Sequence, residues 1–183
     1  MSARIRNPFT PSFGQIPLYM AGRDLVIDEI MRAFENGVGD PNLSTILIGA
    51  RGSGKTALMS LLAHEAQGFG WLSVNVSALP GMLEDIAQQA KAVASSIVSV
   101  SSHAKLKSVG VPQILDIEWE RDAVEQPNWR MRMSAILEGL NASDVGLLIT
   151  VDEVLADLDE LIQLVSVHPH FIWGGRHVAL LLA

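Results

Sequence analysis

One octapeptide restricts this chain more than any other stretch: Gly49-Ala50-Arg51-Gly52-Ser53-Gly54-Lys55-Thr56. It follows the apolar run Thr45-Ile46-Leu47-Ile48 and precedes a helical pattern, Ala57 to Ala63. The spacing is G-x-x-x-x-G-K-[ST] in a strand–loop–helix setting. Glycines let the backbone bend so that several N–H groups turn inward around phosphate oxygens. The helix that follows aims its positive end at the same anion. Lys55 is placed to reach the outer phosphates of a nucleotide, and the Thr56 hydroxyl to meet Mg²⁺. A glycine-rich turn matching by accident would not bring both flanks with it. All eight residues are therefore candidate nucleotide contacts, with Arg51 expected to face solvent.

Around this loop the chain alternates between two periods. Leu25, Val26, Ile30, Ala33 and Phe34 recur at helical spacing, and Asn36-Gly37 stops them. Trp71 to Val76 alternates as a strand. Met82, Leu83, Ile86, Ala90, Val93, Ala94 and Ile97 share a helical face, as do Trp129, Met133, Ile136, Leu137 and Leu140. Gly146 to Val151 and His177 to Ala183 read as buried strands. Between them Leu158, Leu161, Ile162 and Val165 mark a helix that Pro169 is expected to kink or split. Strands alternating with helices predict a three-layer α/β fold with a parallel sheet. Residues 1–16, with Pro8 and Pro11 and little periodicity, read as an extended arm, and 17–183 as the nucleotide-binding core. Lys105 to Val111 and Ile114 to Glu120 suggest a small hairpin, read first as a solvent-exposed connection. A chain ending on an apolar strand reads as cut, which predicts a fragment of a longer protein.

The strand Leu147 to Val151 ends in Asp152-Glu153. Ligands of open α/β sheets bind at the carboxyl ends of the strands. Asp152 is placed to hold Mg²⁺ opposite Thr56. Glu153 is placed to polarise the water that attacks a γ-phosphate. The plainer alternative is an acidic pair capping the next helix.

Gly49–Thr56 resembles a Walker A motif, and Leu148–Glu153 resembles Walker B with its catalytic acid. The Gly22-Arg23 pair, Asp152-Glu153-Val154 and Gly175-Arg176-His177-Val178-Ala179-Leu180 resemble AAA+ ATPases of the origin-recognition and STAND-like group. The resemblance runs from about Pro17 to Ala183 and implies the front part of a larger bacterial ATP-binding protein. It implies the sheet order 2-3-4-1, with Thr45 to Ile48 left as an edge and with the fifth strand, the helical lid and the polar sensor beyond this chain. It implies that Tyr19 stacks near the adenine and that Arg23 contacts the base or the main chain. It transfers no arginine-finger role to Arg176.

Composition narrows the rest. A net charge of −7 provides no global positive field for nucleic acid, and Lys105, Lys107, Arg130 and Arg132 are too few for a basic patch. With no cysteine there is no disulfide or thiolate metal site. His168 and His170 read as surface histidines, and Trp129 and Trp173 as core anchors. No apolar run approaches the ~20 residues of a spanning helix, and no secretory signal opens the chain, so the default location is cytoplasmic. The expected function is Mg-dependent ATP binding and hydrolysis, coupled to conformational change in a larger protein, with homo-oligomers open. A nucleotide-gated switch with negligible turnover is the alternative, and a small-molecule P-loop kinase comes next. A GTP switch lacks its Asn-Lys-x-Asp base-reading motif.

Overall fold

A computed structural model of the protein describes residues 20, 22–104, 128–154 and 158–183, with 97–104 described by backbone alone. In chain order the elements are α1 (Asp24–Asn36), β1 (Ser44–Ile46), α2 (Lys55–Ala66), β2 (Trp71–Ser77), α3 (Met82–Ala104), α4 (Trp129–Asn141), β3 (Gly146–Asp152), α5 (Asp159–Trp173) and β4 (Val178–Leu182). The four strands form one parallel sheet in the order β1-β4-β3-β2. That is the expected order read from the other edge, and β1 is an edge strand as expected.

Parallel neighbours need crossovers, and the helices supply them. Alternation along the strands divides the interior into two cores. Leu148, Ala179 and Leu181 face α1 and α2. Leu147, Ile149, Val151, Val178, Leu180 and Leu182 face α3, α4 and α5. β3 is therefore buried on both sides, which explains its unbroken apolar sequence. Indole N–H groups tie the layers together. Trp71 donates to the Phe34 carbonyl at 3.0 Å and Trp129 to that of Leu83 at 2.6 Å.

Trp71 also explains a glycine. Its register partner in the sheet is Gly146. A Cβ built on Gly146 would lie 2.4 Å from the indole ring. The ring is held by its bond to Phe34 and by Phe34 packing at 5.4 Å, so it has little room to yield. Gly146→Ala is expected to cost about 3 kcal/mol, near the top of the usual range for overpacking. A urea titration should show a lower midpoint with an unchanged slope. A loss below about 0.5 kcal/mol would contradict this packing.

α5 departs from the sequence reading in three ways. The expected inward set included Ile162 and Val165, but the helix buries Leu161, Leu164, His168 and Phe171 and leaves those two exposed. Two adjacent arcs of α5 are apolar, and spacing alone cannot choose between them. Phe171 chooses, because it packs on Trp129 of α4 at 6.2 Å. Trp173, expected as a core anchor, consequently lies outside against His170 at 5.4 Å. Nor does Pro169 split the helix, which runs unbroken from Asp159 to Trp173. The carbonyl that loses its partner belongs to Val165, on a turn open to water.

The third departure is His168, expected at the surface and found in the core, where its Nε2 has no partner. Burial pushes its pKa down from 6.5 to about 4. In the unfolded chain the imidazole protonates below pH 6.5, while the folded one stays neutral until about pH 4. Stability is therefore complete above pH 6.5 and falls through that window, by about 3 kcal/mol at most. Denaturant titrations at pH 7 and pH 4.5 should show the loss, and His168→Leu should flatten it.

Val98 to Ser102 continue α3 as helix. The suggested hairpin at Lys105 to Glu120 lies outside the described residues. Among the described residues no helix is long and apolar enough to cross a membrane.

Candidate functional site

The loop between β1 and α2 needs its glycines for backbone reasons. Gly52 and Gly54 hold φ of 80° and 84°, which L side chains rarely adopt. A Cβ on Gly49 would approach Ser53 Oγ to 2.9 Å. Ser53 Oγ itself is buried without a hydrogen-bond partner. The loop is thus a tight polar cradle with one unsatisfied group inside it. Lys55 begins α2 and folds its ammonium back over the loop, donating to the Gly49 carbonyl at 3.0 Å and that of Ala50 at 3.4 Å. Arg51 is exposed.

A second tie comes from the entry to α1. Arg23 Nη2 donates to the Ser53 carbonyl at 2.8 Å across 30 positions of sequence. Met20 lies alongside, its Cε 3.8 Å from where a Cβ on Gly54 would stand. Tyr19 lies outside the described residues.

Across the loop stands the end of β3. Thr56 Oγ1 donates to Asp152 Oδ2 at 2.6 Å, joining residues 96 positions apart. Asp152 Oδ1 accepts the backbone N–H of Glu153 at 2.8 Å. The Asp152 carbonyl accepts from Ala78 N at 2.9 Å, which fastens the end of β2 to the end of β3. Glu153 is exposed and sits at φ 57°, left-handed backbone that costs a non-glycine residue ~1–2 kcal/mol. Such strain persists only where neighbours enforce it. Here the bond from Val154 N to the Ala183 carbonyl at 2.8 Å holds the chain just beyond. The pair does not cap the next helix, because α5 begins only at Asp159.

Sequence reasoning missed the third wall. Thr150 is buried and donates its hydroxyl to Asn75 Oδ1 at 2.6 Å. Asn75 and Ser77 of β2, with Thr56, Ser60 and His64 of α2 and with Asp152, line an open groove of about 470 Å³. The signal was present in the alternation Ser73, Asn75, Ser77, which puts the polar positions of an edge strand on one face. Their neighbourhood to Asp152 follows only from the register, which pairs Asn75 with Thr150 and Ser77 with Asp152.

Hydroxyl and carboxylate oxygens are the donor set that Mg²⁺ prefers, and Thr56 with Asp152 brings one of each into contact. The orphan Ser53 hydroxyl, a donor without an acceptor, suits an anion. Elsewhere, His168 is buried and His170 exposed. No group of three or more His, Asp or Glu side chains among the described residues could hold a metal ion. Arg130 is exposed, and Arg132 is engaged with Glu84 at 2.6 Å.

No protein-family model and no curated protein matches the chain. A solved structure does. The fold is similar to that of Cdc6p from Pyrobaculum aerophilum, with a TM-score of 0.54 at 15% sequence identity. The match covers 93% of this chain and 41% of that one. The likeness is one of fold.

Proposed function

We infer that this chain is an AAA+-type nucleotide-binding core that binds ATP with Mg²⁺ and hydrolyses it slowly. The reading rests above all on the 2.6 Å contact between Thr56 and Asp152, set beside the Gly49–Thr56 loop. The Cdc6p-like fold supports it at the level of architecture.

In this reading the inward N–H groups of Gly49 to Thr56 bind the phosphate chain. Lys55 exchanges the Gly49 carbonyl for outer phosphate oxygens. Thr56 and Asp152 would hold Mg²⁺, which neutralises charge on the transferring phosphoryl group. Glu153, exposed just past the end of β3, accepts the proton of the attacking water. Arg23 braces the loop from behind through Ser53. Tyr19 and Arg23 bound the base side, within a core of residues 17–183. Its output is conformational, through states that differ in affinity for the nucleotide.

Among the described residues no arginine bonds to Asp152 or Glu153; Arg132 and Arg176 pair with Glu84 and Glu138. An arginine at the transferring phosphate can contribute ~10³-fold or more to turnover. That favours slow hydrolysis, and it keeps a nucleotide-gated switch as the second reading. The test is phosphate release from ATP. Release should need Mg²⁺, fall to background in EDTA and be lost in Asp152→Asn. Release indifferent to Mg²⁺ would count against the reading. Binding without any release would favour the switch.

A further inference from the structure

We propose that Glu160 is a positioning residue for the acidic turn, taking Asp152 and Glu153 as the acidic pair of a nucleotide site: from the first turn of α5 it clasps the start of α3, and the two segments so joined hold Glu153 between them. Left to its own sequence, α3 cannot cap itself. The four residues before it are Ala78, Leu79, Pro80 and Gly81, and none carries a side-chain hydrogen-bond acceptor. The first N–H groups of a helix need such an acceptor or water. Glu160 supplies it from another helix, its two carboxylate oxygens accepting from Gly81 N and Leu83 N at 2.8 Å each. The N-cap of α5 itself, Leu158, offers no side-chain cap, yet the Glu160 carboxylate turns to α3. Two bonds to one ionised carboxylate fix its direction as well as its distance.

A second tie brings this clasp to bear on the site. Ala78 N donates to the Asp152 carbonyl at 2.9 Å. Segments 78–83 and 152–160 are thus joined at both ends, by the Asp152 carbonyl at one and by the Glu160 carboxylate at the other. Glu153 stands between the two ties, at φ 57°. Left-handed backbone at a non-glycine residue persists only where its surroundings enforce it. Glu153 is exposed and its side chain makes no bond in the cradle, so its placement depends on the backbone around it. The part of α3 that Glu160 grips is itself anchored. The Leu83 carbonyl accepts the Trp129 indole N–H at 2.6 Å, and Glu84 beside it pairs with Arg132 at 2.6 Å. Glu160 therefore fastens the segment that follows Glu153 to a point already fixed on α4.

Glu160→Gln keeps the length of the arm and replaces one acceptor by a donor, which cannot take an N–H. Two measurements on the 183-residue chain test the clasp. In steady-state ATP hydrolysis with Mg²⁺, kcat should fall on the order of 10-fold while KM for ATP stays within a factor of about three, because misplacing a reacting group costs rate and the Gly49–Thr56 loop is untouched. In amide hydrogen exchange without nucleotide, the Ala78 amide should exchange about 10-fold faster, as expected of a local opening. The Leu47 amide, which bonds the Leu182 carbonyl across the sheet, should exchange as before. A cap that serves α3 alone would lower the urea midpoint with kcat unchanged, and that result would overturn the proposal. So would an Ala78 amide that exchanges at its former rate. If the unsubstituted chain releases no phosphate from ATP, the nucleotide reading fails, and exchange at Ala78 still decides whether Glu160 holds the turn.

Discussion

Glu153→Gln is expected to lower ATP turnover by about 100- to 1,000-fold while leaving nucleotide affinity within a factor of two or three. A general base contributes on the order of 10²–10⁴ to such a reaction, and the amide cannot take the proton. Affinity is expected to survive because Glu153 is exposed and lends its side chain to no bond in the cradle; only its backbone N–H reaches Asp152. The substitution is close to isosteric and keeps the left-handed turn. A turnover loss through misfolding would also lower affinity, so the pair of measurements separates chemistry from structure. Equal turnover in the two proteins would remove Glu153 from the mechanism. It would shift attention to Asp152 or to the groove-facing Asn75.

The strands were legible because each carries a local signal that the fold does not override, whereas their order followed only from the AAA+ resemblance. β3 has no polar residue before Thr150, β2 alternates, and the loop's motif fixes which strand precedes which helix. The contact between Thr56 and Asp152 was foreseeable for the same reason, since both stand at strand or helix ends whose placement the fold dictates. What was not legible depended on choosing between equivalent faces. α5 offers two apolar arcs, and only the position of Trp129 on another helix decides that Phe171 goes in and Trp173 stays out. His168 follows from that choice, because it lies on the arc with Leu161 and Leu164. Asn75 was passed over for a related reason. A polar residue on an edge strand ordinarily faces water, and its meeting with Thr150 needs the register of two strands far apart in sequence.

The role of Lys55 carries the largest effect on binding. Its ammonium now satisfies two loop carbonyls, at 3.0 Å and 3.4 Å. Those are weak, solvent-accessible bonds that a phosphate oxygen can replace with a charge-assisted one. Hydrogen bonds between charged groups contribute about 1.5–3 kcal/mol. Losing the ammonium should therefore weaken ATP binding by roughly 10- to 150-fold. Fold stability should change little, because the side chain is held only at the loop surface. ADP should lose less than ATP, since the proposed role of the lysine is at the outer phosphates.

Every role proposed for these residues depends on that loop gripping a triphosphate. Calorimetric titration of ATP with Mg²⁺ into the intact chain and into Lys55→Ala tests it most directly. Saturable one-to-one binding is expected for the first, and a dissociation constant at least 10-fold higher, or no measurable heat, for the second. Indistinguishable binding curves for the two proteins, or no binding by either at millimolar ATP, would contradict it.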